Sequence, residues 1–171
     1  MKKSFKLLLL FAIIVASGTL LAVSKKIEYV HANDVSSGTL TFTTEACGGD
    51  SDNKDHDTQV YVEVYGSHGT IIATENYTDD VEFPDNGSQN TIPLNIGDPG
   101  APGVVITDDN LPIQKILVRI TPNGHDTWTF DHLVAAFNSG TYALNTCVKV
   151  TQDRRTAVIV SNPGADFVQY P

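Results

Sequence analysis

Basic residues are scarce in this 171-residue chain, where 11 Lys and Arg stand against 20 Asp and Glu for a formal net charge of −9. A field of that sign repels phosphate backbones, which excludes nucleic acid as a partner. It also opposes simple adsorption to anionic lipid unless a cation bridges the two. Helical periodicity is absent beyond residue 32: β-branched residues and turn formers dominate, and no stretch sustains a 3.6-residue apolar repeat. No cysteine directly follows the N-terminal apolar run, which excludes lipoprotein processing. There is no G-x-S-x-G between strand and helix, and no H-x-x-x-H pair among His56, His68, His125 and His132. Ser67-His68 and His125-Asp126 therefore read as turn formers, with no catalytic or zinc framework around them.

One segment stands apart from the rest. Met1 to Lys6 is basic, and Leu7 to Val23 is an uncharged apolar run of 17 residues. Val30-His31-Ala32 then fits the small-residue rule for signal peptidase. We expect residues 1–32 to be a signal peptide cleaved after Ala32, leaving a secreted, extracellular or cell-surface-associated protein with no transmembrane segment. Retention as an anchor is the alternative, because Lys25 and Lys26 lengthen the polar tail and 17 residues is the short edge of a bilayer span. The segment holds five lysines and one glutamate, so its loss takes the remaining 139 residues from −9 to −13. Residues 33–171 are enough for one domain with a proper core.

Cys47 and Cys147 both survive cleavage. In an exported domain they suggest one disulfide, worth about 4–5 kcal/mol for a loop of roughly 100 residues; two separate buried thiols are the alternative.

Short alternating or apolar runs fill the chain: 39–43, 59–65, 69–73, 91–96, 113–121, 127–137, 142–150 and 156–161. In Gln59 to Tyr65 the three valines share one face and Tyr61, Glu63 and Tyr65 the other. Gly66 to Gly69 reads as a hairpin turn, Pro93 marks an edge strand, and Trp128 and Phe130 share a core face. Asp85-Asn86-Gly87, Asp98-Pro99-Gly100, Pro122-Asn123-Gly124, Asn138-Ser139-Gly140 and Asn162-Pro163-Gly164 are turn signals. The pattern predicts an all-β, antiparallel two-sheet β-sandwich of about eight strands.

The densest polar cluster is Gly48 to Asp57. Asp50, Asp52, Asp55 and Asp57 place four carboxylates in eight residues beside flexible glycine, a composition suited to Ca²⁺. Lys54 sits where the third ligand of an EF-hand belongs, so that motif is excluded, and a hydrated acidic loop is the competing reading. Asp79-Asp80, Asp108-Asp109 and Asp131 would add ligands if the loops converge.

Three stretches now line up. His56 to Gly66 holds an acidic turn, a strand and a glycine. Val81 to Thr91 is a Phe-led approach to a middle strand. Ile113 to Ile120 precedes Gly124-His125-Asp126-Thr127-Trp128-Thr129-Phe130-Asp131. In order and spacing these resemble the PLAT (LH2) domain, the β-sandwich module of lipoxygenases, lipases, some bacterial toxins and plant stress proteins. The likeness covers about residues 38–150. It implies a PLAT-like fold and a non-catalytic module that docks on a lipid surface or a protein partner, with calcium ligands at Asp57 and Asp80. The Asp run and the long loop from Gly97 to Asp109 depart from the family, and its aromatic loop tips have no counterpart. A small secreted enzyme or toxin with its site in the long loops stays open as an alternative. So does a carbohydrate-binding sandwich using Tyr61 and Tyr65.

Overall fold

The computed structural model describes residues 33–45, 52–84, 86–122, 124, 126–160 and 168–170. Nine strands follow in order: β1 (Gly38–Glu45), β2 (Gln59–Tyr65), β3 (Ile71–Tyr77), β4 (Asn86–Ile96) and β5 (Lys115–Thr121) come first. Then come β6 (Thr127–Phe137), β7 (Gly140–Thr151), β8 (Thr156–Val160) and β9 (Val168–Tyr170). Every pairing is antiparallel, in the spatial order β8-β5-β2-β3-β4-β1-β6-β7-β9. No α-helix occurs among the described residues, and none of their helical turns is long and apolar enough to cross a membrane.

The sheet folds over at β4. From Asn86 to Leu94 that strand pairs with β1, and at Asn95 and Ile96 it pairs with Thr74 and Ala73 of β3. Two layers result, β8-β5-β2-β3 and β4-β1-β6-β7-β9, whose inward side chains make one core. Val60, Val62 and Val64 of β2 alternate inward, as do Ile116, Val118 and Ile120 of β5. Leu40, Phe42, Ile92, Trp128, Phe130 and Leu133 join them from the other layer. Each such side chain, fully withdrawn from water, contributes about 1.5–3 kcal/mol.

Pro93 faces Thr39 on one side and has no strand on the other, because β3 reaches β4 just beyond it. A residue without an amide donor is tolerated at that position. The turn expected at Asp85-Asn86-Gly87 is corrected. Asn86 already pairs with Glu45 while Ser88 pairs with Thr44, so Gly87 is the extra residue of a β-bulge. Its φ of 77° lies in the left-handed region that glycine adopts without penalty. The same Asn-Gly chemistry that makes a tight turn here bends a continuous strand. β9 was not anticipated, since Val168–Tyr170 is too short to show alternation.

Strand directions sort the loops. The ends of β1, β3, β5 and β7 bring residues 52–58, 78–84 and 126 to one end of the sandwich. The loops 33–37, 66–70, 97–114 and 138–139 lie at the other. Residues 1–32 and Cys47 lie outside the described residues, so the expected signal peptide and the partner of Cys147 do too.

Candidate functional site

The acidic end is built on an aromatic floor. Phe83 lies 5.6 Å from Trp128 and 5.8 Å from Tyr77, and Phe42 lies 4.8 Å from Trp128, ring centre to ring centre. Trp128 satisfies its indole by donating Nε1–H to Thr44 Oγ1 at 3.0 Å, both groups buried. Above this floor, Lys54 and Phe83 exchange backbone hydrogen bonds of 3.2 and 2.9 Å, which staples loop 52–58 to loop 79–83. The Asp52 carbonyl accepts from the Thr129 amide at 3.1 Å, holding the same loop to β6.

Lys54 turns inward. Its side chain has no solvent exposure. The ammonium donates to the carbonyls of Asp55 at 3.0 Å and Val81 at 2.5 Å, and sits 5.0 Å over the Phe83 ring. Burial pushes its pKa down, while the carboxylates of Asp126, Asp80, Asp55 and Asp57 pull it back up. Asp126, 3 % exposed, accepts from the Asp55 amide. Burial raises its pKa most, Asp55 and Asp52 add repulsion, and hydrogen bonds from Thr58 and from the Asp55 backbone oppose the rise.

The remaining expected ligands are arranged around this pair. Asp80 Oδ1 accepts from the Asp57 amide at 3.0 Å and lies 3.0 Å from His56 Nδ1, while His56 Nε2 lies 3.6 Å from Glu82. Asn53 donates to Glu82 at 2.5 Å. Asp52, Asp55, Asp57 and Asp80 thus share one end of the sandwich, and Asp50 lies outside the described residues. Asp108-Asp109 lie at the opposite end, and Asp131 sits at the β6 bulge between Phe130 and His132. Among the described residues no three His, Cys, Asp or Glu side chains converge as metal ligands. The centre of the acidic end instead holds the Lys54 ammonium.

The other end is apolar at its tip. Gly97 is tied to Ile72 at 2.9 Å, and Asp98 closes a turn by accepting from the Gly100 and Ala101 amides at 2.7 and 3.0 Å. Ile106 is buried and its carbonyl accepts from Val35 at 2.8 Å. Between these anchors Val104 and Val105 project at 55 % and 62 % exposure. Thr74, Asn95, Pro99, Pro102 and Val104 line a shallow hollow of about 220 Å³ behind them.

A third array covers the outer face of β2 and β5. Tyr61 and Tyr65 donate their hydroxyls to the two oxygens of Glu63, at 2.9 and 2.5 Å. Arg119 lies 4.6 Å over the Tyr61 ring and Lys115 3.4 Å over the Tyr65 ring. The Glu63 hydrogen bond, then burial, pushes the Tyr65 pKa up to about 12. Alternation in the sequence exposed the tyrosines; the two cations come from the neighbouring strand, whose register no local pattern reveals. At the hairpin, Ser67 donates to the Asp109 carbonyl at 2.9 Å. His125 lies outside the described residues.

No protein-family model matches this chain, and neither does any curated protein. Solved structures do. A lipoxygenase variant described as Delta413-417:GS LOX superposes with a TM-score of 0.51 at 13 % identity, covering 72 % of this chain and 16 % of that one. Clostridium perfringens alpha-toxin, from avian strain SWCP, matches at 18 % identity and a TM-score of 0.45, covering 80 % of this chain and 34 % of the toxin. This chain therefore spans about a sixth and a third of those two proteins. The described sandwich is PLAT-like in fold.

Proposed function

We propose that the chain is a secreted, non-catalytic module that docks on a lipid surface through the loop around Val104 and Val105. The observation that carries this is the exposure of two adjacent valines on an anchored loop tip, with Ala101 and Pro102 beside them. Withdrawing such side chains from water favours docking by about 25 cal/mol per Å² of apolar surface. At −13, the exported part favours neutral over anionic lipid.

Cleavage after Ala32 is part of this reading. It would spare the described fold, because Asn33 exchanges hydrogen bonds with Asp108 and Asp34 bridges to Thr107. We also propose the Cys47–Cys147 disulfide. β1 runs beside β6, and β6 beside β7, so the last residues of β1 lie near the level of Cys147.

Flotation with phosphatidylcholine vesicles tests the docking, in calcium and in EDTA, so that the ion expected at Asp50, Asp52, Asp55, Asp57 and Asp80 is a variable of the same experiment. Wild-type protein should float, and Val104→Asp with Val105→Asp should not. Flotation unaffected by the double change would remove the loop from the reading. Absence of flotation altogether would turn the search to a protein partner.

A further inference from the structure

We propose that the Lys54 ammonium is the resident cation of the acidic end, standing where a divalent ion would otherwise neutralise the loops. A lysine close to a loop surface ordinarily extends its head to water. Lys54 does the opposite: it is fully buried, although its loop neighbours Asp55, His56 and Asp57 are exposed. Two of its three N–H donors are taken by the Asp55 and Val81 carbonyls, which belong to the two loops that must be held together. The underside of the ammonium lies over the Phe83 ring, whose face attracts a cation. Negative charge on Asp126 first, then on Asp80, Asp55 and Asp57, favours the ammonium against the cost of its burial.

Oxygen acceptors from two loops, carboxylates around them and a positive charge at the centre are what a hard cation would organise. Here a side chain supplies the charge, and its backbone is fixed by the paired hydrogen bonds to Phe83. The position that spoils the metal-loop pattern in the sequence is the one that fills the site. If the docking reading above holds, which this inference takes for the vesicle arm alone, attachment proceeds without calcium.

Thermal melts of the exported protein, residues 33–171, decide the central point without any docking partner. The melting temperature should be the same in EDTA, in several millimolar calcium and in magnesium. A calcium-specific rise of several degrees overturns the proposal. Lys54→Met should lower the melting temperature by roughly 10 °C. That loss should shrink when the change is made in an Asp126→Asn background, because the charge it balances is gone; strictly additive losses would mark Lys54 as packing alone and also overturn the proposal. Should Lys54→Met fail to fold, the calcium melt of the wild type decides alone. Vesicle flotation that is equal in calcium and EDTA extends the result to docking. Flotation lost in EDTA while melts stay unchanged overturns that extension and leaves the resident cation standing.

Discussion

Charge is carried inward at one end of this sandwich and hydrophobicity outward at the other. Around Lys54 and Asp126 the loops are braced by a buried cation, backbone pairing and an aromatic floor. Around Val104 and Val105 the loop is anchored at its two feet and leaves its apolar tip in water. The lesson is that exposure, and not residue type, tells which end is free to meet something else. The densely acidic end, which draws the eye in the sequence, spends much of its polarity on its own assembly. The valine tip, plain in the sequence, leaves more than half of each valine in water.

The sharpest way to break this comparison is Lys54→Met. The change leaves the buried Asp126 carboxylate and the Asp55 and Val81 carbonyls without the ammonium, and a loss of about 3 kcal/mol is expected in urea unfolding. A loss below about 1 kcal/mol would show the acidic end to be as loosely held as an ordinary surface loop.

Asn138→Ala probes how the valine end is anchored. Asn138 accepts from the Ser36 and Ser37 amides at 2.9 and 3.3 Å and donates to the Asp34 carbonyl at 2.9 Å. Replacing it should cost about 1–2 kcal/mol by the same measurement, less than Lys54, since the freed groups are exposed to water.

Asp126 gives the comparison a pH dependence. Its folded pKa lies above the unfolded value of 3.8, mainly through burial. Such a group favours folding in full below that pH, and the contribution disappears as pH rises through the raised folded pKa. The stability difference between wild type and Asp126→Asn should therefore fall with rising pH across that window. A flat difference in the urea midpoints would mean that the carboxyl is solvated.

The smallest stability effect is expected from Val104→Asp with Val105→Asp, within about 0.5 kcal/mol of wild type, because both side chains are exposed. A larger loss would show that the tip is packed.

How much of this was legible varies by residue. β2 could be read directly, since Val60, Val62 and Val64 alternate with Tyr61, Glu63 and Tyr65 and the strand has those very bounds. Trp128 and Phe130 were rightly assigned to the core. Asn86-Gly87 misled, because positive φ serves a bulge as well as a turn, and the difference lies in the partner strand. Lys54 was visible as an intruder in an Asp run. Its direction could not be read, because the Val81 carbonyl and the Phe83 ring arrive from about thirty residues away, out of reach of any local pattern.

The sequence by itself determined the all-β class, the two faces of β2, the core face of Trp128 and Phe130 and the clustering of acid between β1 and β2, since these depend on neighbours one to four residues apart. Tertiary structure decided which charge turns inward, which cations cover Tyr61 and Tyr65, and which loop is left apolar and exposed. Those outcomes depend on register between strands distant in the chain and on which groups water can still reach once the two layers close.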